Sequence, residues 1–144
     1  MSGRVERGDT VEDFVLPDET GTERRLTVLL AEGPVVLFFY PAALSPGCTA
    51  QACHFRDLAA EFAAAGARPV GGSGDGVARQ AEFAGRHTLG MTLLSDTGGT
   101  VRKRFGVKRD IALLPTKRAT FVIAPDRTVL EAVRSELRMN THAD

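Results

Sequence analysis

The sequence predicts a single α/β domain. Residues 35–39, Val-Val-Leu-Phe-Phe, form a continuous apolar run of strand-favouring residues, the pattern of a strand covered on both faces. A helix start follows this run, and residues 68–72 then predict a second strand, parallel to the first. With 144 residues, 43% hydrophobic and 25% charged, the chain fits one domain that buries about two-thirds of its unfolded surface.

The remaining elements are predicted from local pattern. Residues 14–18 form a short edge strand limited by Pro17, and the turn at Thr20-Gly21 leads to a partner strand at 24–27, which gives an N-terminal hairpin. Residues 28–30 are too few to assign. The later elements are predicted at 77–87 (helix), 91–95 (strand), 100–105 (helix), 119–123 (strand) and 129–133 (strand).

One cysteine lies where the first central strand meets a helix. Pro41 ends that strand because proline donates no backbone hydrogen bond. Ser45 is a predicted N-cap and Pro46 the first helical residue, so Cys48 is third in a helix that continues to about residue 65 and stops at Gly66. The inward face of this helix is predicted to carry residues at helical spacing: Cys48, Ala52, Phe55, Ala59 and Phe62.

This position favours a reactive thiolate, although a lone cysteine is more often a small buried hydrophobe. A free cysteine has a pKa of about 8.5, so only about 3% is ionised at pH 7. Lowering that pKa to about 6 takes roughly 3.4 kcal/mol, whereas a helix N-terminus contributes about 2 kcal/mol at best. A cation must supply the rest. Arg118, just before the predicted strand 119–123, is the candidate, because Lys117 lacks the planar fork of donors.

The second cysteine, Cys53, lies five residues after Cys48 on the same predicted helix. That offset corresponds to roughly 140° around the axis and about 7.5 Å along it, whereas a disulfide requires Cα atoms closer than about 7 Å with converging side chains. The two thiols can therefore pair only if the first turns unwind. A metal site made of Cys48, Cys53 and His54 is an alternative, but offsets of five and six residues direct these side chains apart on a helix.

Charge and composition exclude several classes of function. The formal net charge is zero, and without a basic patch we expect no nucleic-acid partner. No apolar run approaches the roughly 20 residues that span a bilayer, and the polar N-terminus resembles no signal peptide. We therefore expect no membrane association and a cytoplasmic location, where two cysteines indicate redox chemistry rather than a structural crosslink.

Two loops of the sequence are also candidate functional elements. The glycine-rich residues 71–76 have Val77 where a phosphate-binding fingerprint needs glycine, and no Gly-Lys-Ser/Thr follows, so we interpret them as a loop beside the active site. Residues 110–115 form an apolar stretch between charged flanks. They either cover the core, or their leucines form part of the collar around the substrate pocket or a docking surface for a reductase.

The motif Pro41-x-x-x-Ser45-x-x-Cys48 resembles the active-site motif of the peroxiredoxins. The longer run Phe-Phe-Tyr-Pro…Pro-Gly-Cys-Thr-x-x-Ala-Cys-x-Phe-Arg-Asp resembles the Q-type, bacterioferritin-comigratory-protein-like subfamily, and the likeness extends from Gly8 to His142. It implies a thioredoxin-like fold with a central mixed β-sheet flanked by helices. It also implies a thiol-dependent peroxidase that needs no metal, flavin or haem and reduces hydrogen peroxide and organic hydroperoxides.

The resemblance also implies roles for individual residues. Cys48 is the peroxidatic nucleophile, and Cys53 matches the resolving cysteine that forms a disulfide with it, which thioredoxin then reduces. Ser45 and Arg118 orient the peroxide. The other residues expected at the site are Pro41 and, as parts of the substrate pocket, Phe39, Tyr40 and Gly47.

The chain departs from the family pattern in three places. Ser45 stands where threonine is commoner, which keeps the hydroxyl, and Gln51 stands where glutamate is usual, which removes a charge near Cys48. The sequence stops at Asp144, so the final family helix is expected to be absent from the single domain at 1–144, and we expect a monomer or a weak dimer. A general thiol-disulfide oxidoreductase is the alternative function, but its usual Cys-x-x-Cys motif is missing.

Overall fold

The fold is built on a central mixed β-sheet, seen in a computed structural model that describes residues 5–108 and 118–134. The order of the strands is β5-β4-β3-β6-β7. β4 runs parallel to β3 and β5 parallel to β4, whereas β6 is antiparallel to β3 and β7 antiparallel to β6. The strands are β3 (Val35–Phe39), β4 (Arg68–Ser73), β5 (Thr92–Ser95), β6 (Ala119–Ile123) and β7 (Val129–Arg134). The predicted α/β class with a mixed sheet is confirmed.

The central strand β3 is buried along its whole length, as its apolar run predicts. Successive side chains alternate between faces, so Phe38 belongs to one core cluster and Phe39 to the other. The helices on the side of Phe38 are α2 (Pro46–Asp57) and α4 (Val77–His87), and those on the side of Phe39 are α1 (Leu26–Leu29) and α5 (Thr100–Phe105).

The predicted N-terminal hairpin is present, but its second strand is shorter than expected. It pairs β1 (Val15–Pro17) with β2 (Glu23–Arg25), and the helix α1 begins at Leu26, within the predicted strand 24–27. Leu26 and Leu29 are both buried. A spacing of three residues brings two side chains to one face of a helix, so the need to bury this pair overrides the strand pattern.

The predicted helix 48–65 is two helices rather than one. Helix α2 ends at Asp57, and α3 (Ala59–Ala64) follows after Leu58, whose N–H donates to the carbonyls of both His54 and Phe55. Such shared bonds tighten a last helical turn. Phe62 returns to stack on Phe55, with ring centroids 5.8 Å apart, whereas Ala59 is exposed. The predicted inward face therefore ends at Phe55, with Phe62 packing on it from α3.

The first three residues of the glycine-rich stretch 71–76 are strand, so Ser73 extends the predicted strand 68–72 by one residue into the predicted loop. Gly71, Gly72 and Ser73 complete β4 and are buried. A Cβ atom at Gly71 would lie 2.9 to 3.0 Å from atoms of Leu93, Phe38 and Tyr40, so the aromatic side chains of this core need glycine there.

The remaining predicted elements agree with the structure to within one residue, including the helix at 77–87 and the strand at 119–123. The predicted loop at 110–115 and the last residues, 141–144, lie outside the described residues. Within the described part of the chain, no helix combines the length and the apolar character needed to cross a membrane.

Candidate active site

Cys48 occupies the first turn of α2, as predicted. Ser45 has the extended backbone of an N-cap, with φ −77° and ψ 152°, and Pro46 opens the helix. The Ser45 side chain does not cap the helix, because its hydroxyl donates to the carbonyl of Ala42 at 2.8 Å. Cys48 is 1% exposed. Its sulfur therefore lies in a desolvated position near unpaired helix N–H groups, where a thiolate needs further stabilisation.

The side chain that contacts this sulfur is Arg118, the residue immediately before β6. Its Nη2 donates to Cys48 Sγ at 3.6 Å, although 70 residues separate the two in the chain. Sheet pairing explains the contact, because Ala119 at the start of β6 is paired with Phe39 at the end of β3, the strand that leads to Cys48. Arg118 is 8% exposed. A buried guanidinium therefore lies within hydrogen-bond distance of the Cys48 sulfur.

Gln51 is the other partner of Arg118, and its role was not predicted. Its side chain is 1% exposed, and its Oε1 accepts a hydrogen bond from Arg118 Nη1 at 2.5 Å. It lies three residues after Cys48, on the same side of α2. Because an i,i+3 offset from the cysteine was visible in the sequence, that offset is the signal that could have identified it. No carboxylate of the described residues forms an ion pair with Arg118.

A buried hydrogen-bond chain joins the active-site loop to β4 and α4. Tyr40 Oη donates to Gln80 Oε1 at 2.6 Å, and Gln80 Nε2 donates to Ser73 Oγ at 3.1 Å. Ser73 Oγ donates to Asp75 Oδ2 at 2.6 Å, and the same carboxylate oxygen accepts from the backbone N–H of Ala43 at 2.7 Å. Burial raises the pKa of Tyr40, so this chain begins at a neutral phenol. Asp75 thereby holds the loop before Cys48, which the sequence did not indicate.

Cys53 lies on the intact helix α2 and is half-buried, and both cysteines are free thiols. The intact helix therefore keeps the two thiols apart, as their spacing in the sequence predicts. A hydrogen bond to Asp57 and the nearby Cys53 raise the pKa of Arg56, which places a cation near this second thiol. Among the described residues there is no group of three His, Cys, Asp or Glu side chains that could hold a metal ion.

The other predicted site residues differ in where they lie. Tyr40 packs in the cluster that contains Cys48, and Gly47 is in the first turn of α2. Pro41 is half-buried in the loop between them. Phe39 belongs to the opposite core cluster, with its ring 5.2 Å from that of Phe105. Because side chains alternate across a strand, the Phe39 ring lies on the other face of the sheet from Cys48, and its place in the substrate pocket stays a prediction.

One cavity of the described part of the protein lies away from these residues. It has a volume of about 420 Å³ and is lined by residues near the start of β4 and β5, including Arg24, Arg56 and Arg68, and not by Cys48. In a parallel pair of strands, the starts and the carboxyl ends lie at opposite edges of the sheet. The geometry therefore assigns the reactive thiol to the carboxyl edge, away from this cavity.

Comparison with known proteins agrees with this geometry. Residues 7–132 match the AhpC/TSA family. The crystal structure of peroxidoxin BcpB from Mycobacterium tuberculosis is 59% identical, with a TM-score of 0.94, over 98% of this chain and 93% of that one. A structure of the bacterioferritin comigratory protein of Xanthomonas campestris is 29% identical, with a TM-score of 0.84, over 94% and 93% of the two chains. Chloroplastic peroxiredoxin Q of rice, Oryza sativa subsp. japonica, is 39% identical over 99% of this chain and 65% of that protein.

These likenesses confirm the predicted thioredoxin-like fold, since the neighbours are peroxiredoxins that superpose on almost the whole chain. The chain belongs to the AhpC/TSA family and is a Q-type peroxiredoxin, a thiol-dependent peroxidase.

Proposed function

We propose that Cys48 is the thiol that reduces the hydroperoxide, and that Arg118 activates it. The observation that carries this proposal is the 3.6 Å contact from Arg118 Nη2 to Cys48 Sγ in a buried site. The thiolate sulfur attacks one oxygen of the substrate, and the O–O bond breaks. The second oxygen leaves with a proton as water or an alcohol, and Cys48 becomes a sulfenic acid.

Ser45 is suited to orient the substrate. Its hydroxyl hydrogen is donated to the Ala42 carbonyl, which leaves the oxygen lone pairs of Ser45 as acceptors. A hydroperoxide O–H can donate to this oxygen, while the Arg118 guanidinium donates to the peroxide oxygens. The two residues would thus hold the O–O bond in line with the sulfur, the alignment that a displacement requires.

Cys53 then resolves the sulfenic acid. Its sulfur attacks Cys48, the hydroxyl leaves as water, and a Cys48–Cys53 disulfide forms. A dithiol reductant, for which we propose thioredoxin, restores both thiols by exchange. This cycle requires a reducing compartment, for which we propose the cytoplasm. The X. campestris relative is described in terms of alkyl peroxide reduction, and we propose both hydrogen peroxide and alkyl hydroperoxides as substrates.

Two cysteine variants test this cycle. Cys48→Ser is expected to consume no peroxide while keeping the wild-type circular dichroism spectrum, because the change is small. Cys53→Ser is expected to consume one equivalent of peroxide rapidly and then to stop turning over with thioredoxin, leaving a sulfenic acid that trapping by dimedone and mass spectrometry detects. Peroxidase activity retained by Cys48→Ser would refute the assignment.

A further inference from the structure

The side chain of Gln51 is buried, and only one of the two polar atoms of its amide has a hydrogen-bond partner among the described residues. Its Oε1 accepts from Arg118 Nη1, whereas its Nε2 has no hydrogen-bond partner in the described part of the protein. The orientation of the amide is set by Arg118, because a guanidinium only donates and must therefore face the amide oxygen. The NH₂ group is thus left as a buried donor without an acceptor, which costs free energy.

A carboxylate of the same shape would satisfy Arg118 better. It offers acceptor oxygens on both sides, leaves no orphan donor and makes a charge-assisted pair with the guanidinium. The stability of the folded protein, in which Arg118 is buried, therefore favours glutamate over glutamine at position 51. The amide has the opposite advantage for chemistry, because it holds Arg118 without neutralising it.

The groups that face Cys48 show why this matters. Arg118 approaches from the start of β6, and Tyr40, whose pKa burial raises, approaches from the end of β3. Cys53 and His54 lie further along α2 itself. The carboxylate of the buried hydrogen-bond chain, Asp75, accepts from Ser73 and Ala43 and forms an ion pair with Arg79. Among these groups, the Cys48 thiolate is the anion that Arg118 contacts.

We propose that Gln51 is a positioning residue that holds Arg118 against Cys48 and, being neutral, leaves the whole positive charge of Arg118 to stabilise the thiolate. This inference rests on the proposed reactivity of Cys48. With glutamine, thiolate and guanidinium make a neutral site. With glutamate, the same site would carry a net negative charge, and the thiol would hold its proton to higher pH.

The test is the pH profile of Cys48 alkylation by iodoacetamide, measured in a Cys53→Ser background so that one thiol reacts. A charge placed within about 4–6 Å of a titrating group shifts the pKa of that group by about one or more. We therefore expect Gln51→Glu to move the profile to higher pH and to slow alkylation at pH 6 by about tenfold. Reaction with hydrogen peroxide at that pH should slow by a similar factor.

Two further variants separate charge from position. Gln51→Met keeps the site neutral but removes the acceptor for Arg118, and we expect a smaller slowing, about threefold. Ala50→Glu adds the same charge one residue away on the exposed face of α2, where solvent and salt screen it, and its profile should match the wild type. Thermal unfolding followed by circular dichroism checks that each variant is folded.

Each outcome is decisive for part of the proposal. A wild-type profile in Gln51→Glu would show that Gln51 only holds Arg118, since glutamate holds it equally well. A wild-type profile in Gln51→Met would overturn the positioning role, which also keeps the proposal testable if the glutamate variant does not fold. An equal shift in Ala50→Glu would assign the effect to the field of the whole helix. Because alkylation is independent of turnover, failure here is distinguishable from a Cys48→Ser variant that retains peroxidase activity.

Discussion

Opening of helix α2 should limit the rate at which the Cys48–Cys53 disulfide forms. The helix spans Pro46–Asp57, and its two ends are held differently. Near the C-terminal end, Phe55 is fully buried and stacks on Phe38 with ring centroids 4.3 Å apart. The N-terminal end has no side-chain cap. Opening at the C-terminal end would cost about 1.5–3 kcal/mol for exposing Phe55, so we expect the N-terminal end to unwind.

Ala50→Gly perturbs this opening without touching the chemistry. Ala50 is exposed on α2 between the two cysteines, and glycine in a helix interior costs about 1 kcal/mol relative to alanine. If opening precedes attack by Cys53, the open fraction should rise about fivefold, since 1.4 kcal/mol corresponds to a factor of ten. The disulfide should form about fivefold faster, while the reaction of Cys48 with peroxide stays near its wild-type rate.

Stopped-flow measurement after one equivalent of hydrogen peroxide separates the two phases, and mass spectrometry identifies the sulfenic acid and the disulfide. Ala81→Gly is the matched control, because Ala81 is likewise exposed but lies in α4, Val77–His87, which does not open. Its global stability should fall by a similar amount while disulfide formation keeps its wild-type rate. An unchanged second phase in Ala50→Gly, or an equal acceleration in Ala81→Gly, would refute the argument.

Three further predictions concern the loop, the guanidinium and the hairpin. Arg118→Ala should slow the reaction of Cys48 with peroxide by about 10²-fold or more, since an opposite charge at this distance lowers the pKa of an acid by about one to three. Stopped-flow kinetics measures this rate. Arg118→Lys should restore little of that rate. Asp75→Ala removes the acceptor for the Ala43 N–H, so amide exchange at Ala43 should rise by about tenfold, as the loss of about 1.4 kcal/mol implies, and an unchanged rate would contradict the clamp. Burial alone would raise the pKa of Asp18, but hydrogen bonds from the backbone and side chains of the β1–β2 turn lower it. The carboxylate of Asp18 therefore stabilises the fold above about pH 3.9, the value for the unfolded chain, and this stabilisation is lost as the pH falls below it. Asp18→Asn should reduce the loss of thermal stability between pH 5 and 2.5, and an unchanged pH dependence would exclude Asp18 as its source.

Local pattern in the sequence was enough where neighbouring residues decide the structure. The apolar run of β3 predicts a strand buried on both faces. Ser45 and Pro46 predict where α2 begins, and hence that Cys48 lies in its first turn. These features depend on backbone preferences and hydrophobic spacing, which act over a few residues. The motif that resembles the peroxiredoxins lies in the same stretch, and the comparisons confirm the family.

Several local predictions failed because tertiary packing outweighs local preference. Leu26 begins a helix instead of continuing a strand, because Leu26 and Leu29 are both needed in the core. The helix predicted to continue to about residue 65 ends at Asp57, and Phe62 of the next helix packs on Phe55. In each case the core that these side chains fill is formed by several elements, which a local window of sequence does not contain.

The site itself shows the same division. From the sequence alone, Cys48 could be assigned to a helix start and Arg118 to the mouth of a strand, and charge chemistry required that they meet. Their 3.6 Å contact exists because β6 pairs with β3, which joins residues 70 positions apart. The partner of the guanidinium, Gln51, and the clamp from Asp75 to Ala43 were decided only by the tertiary structure. Hydrogen bonds between distant side chains depend on where the whole chain places them, whereas a helix start depends on the residues that form it.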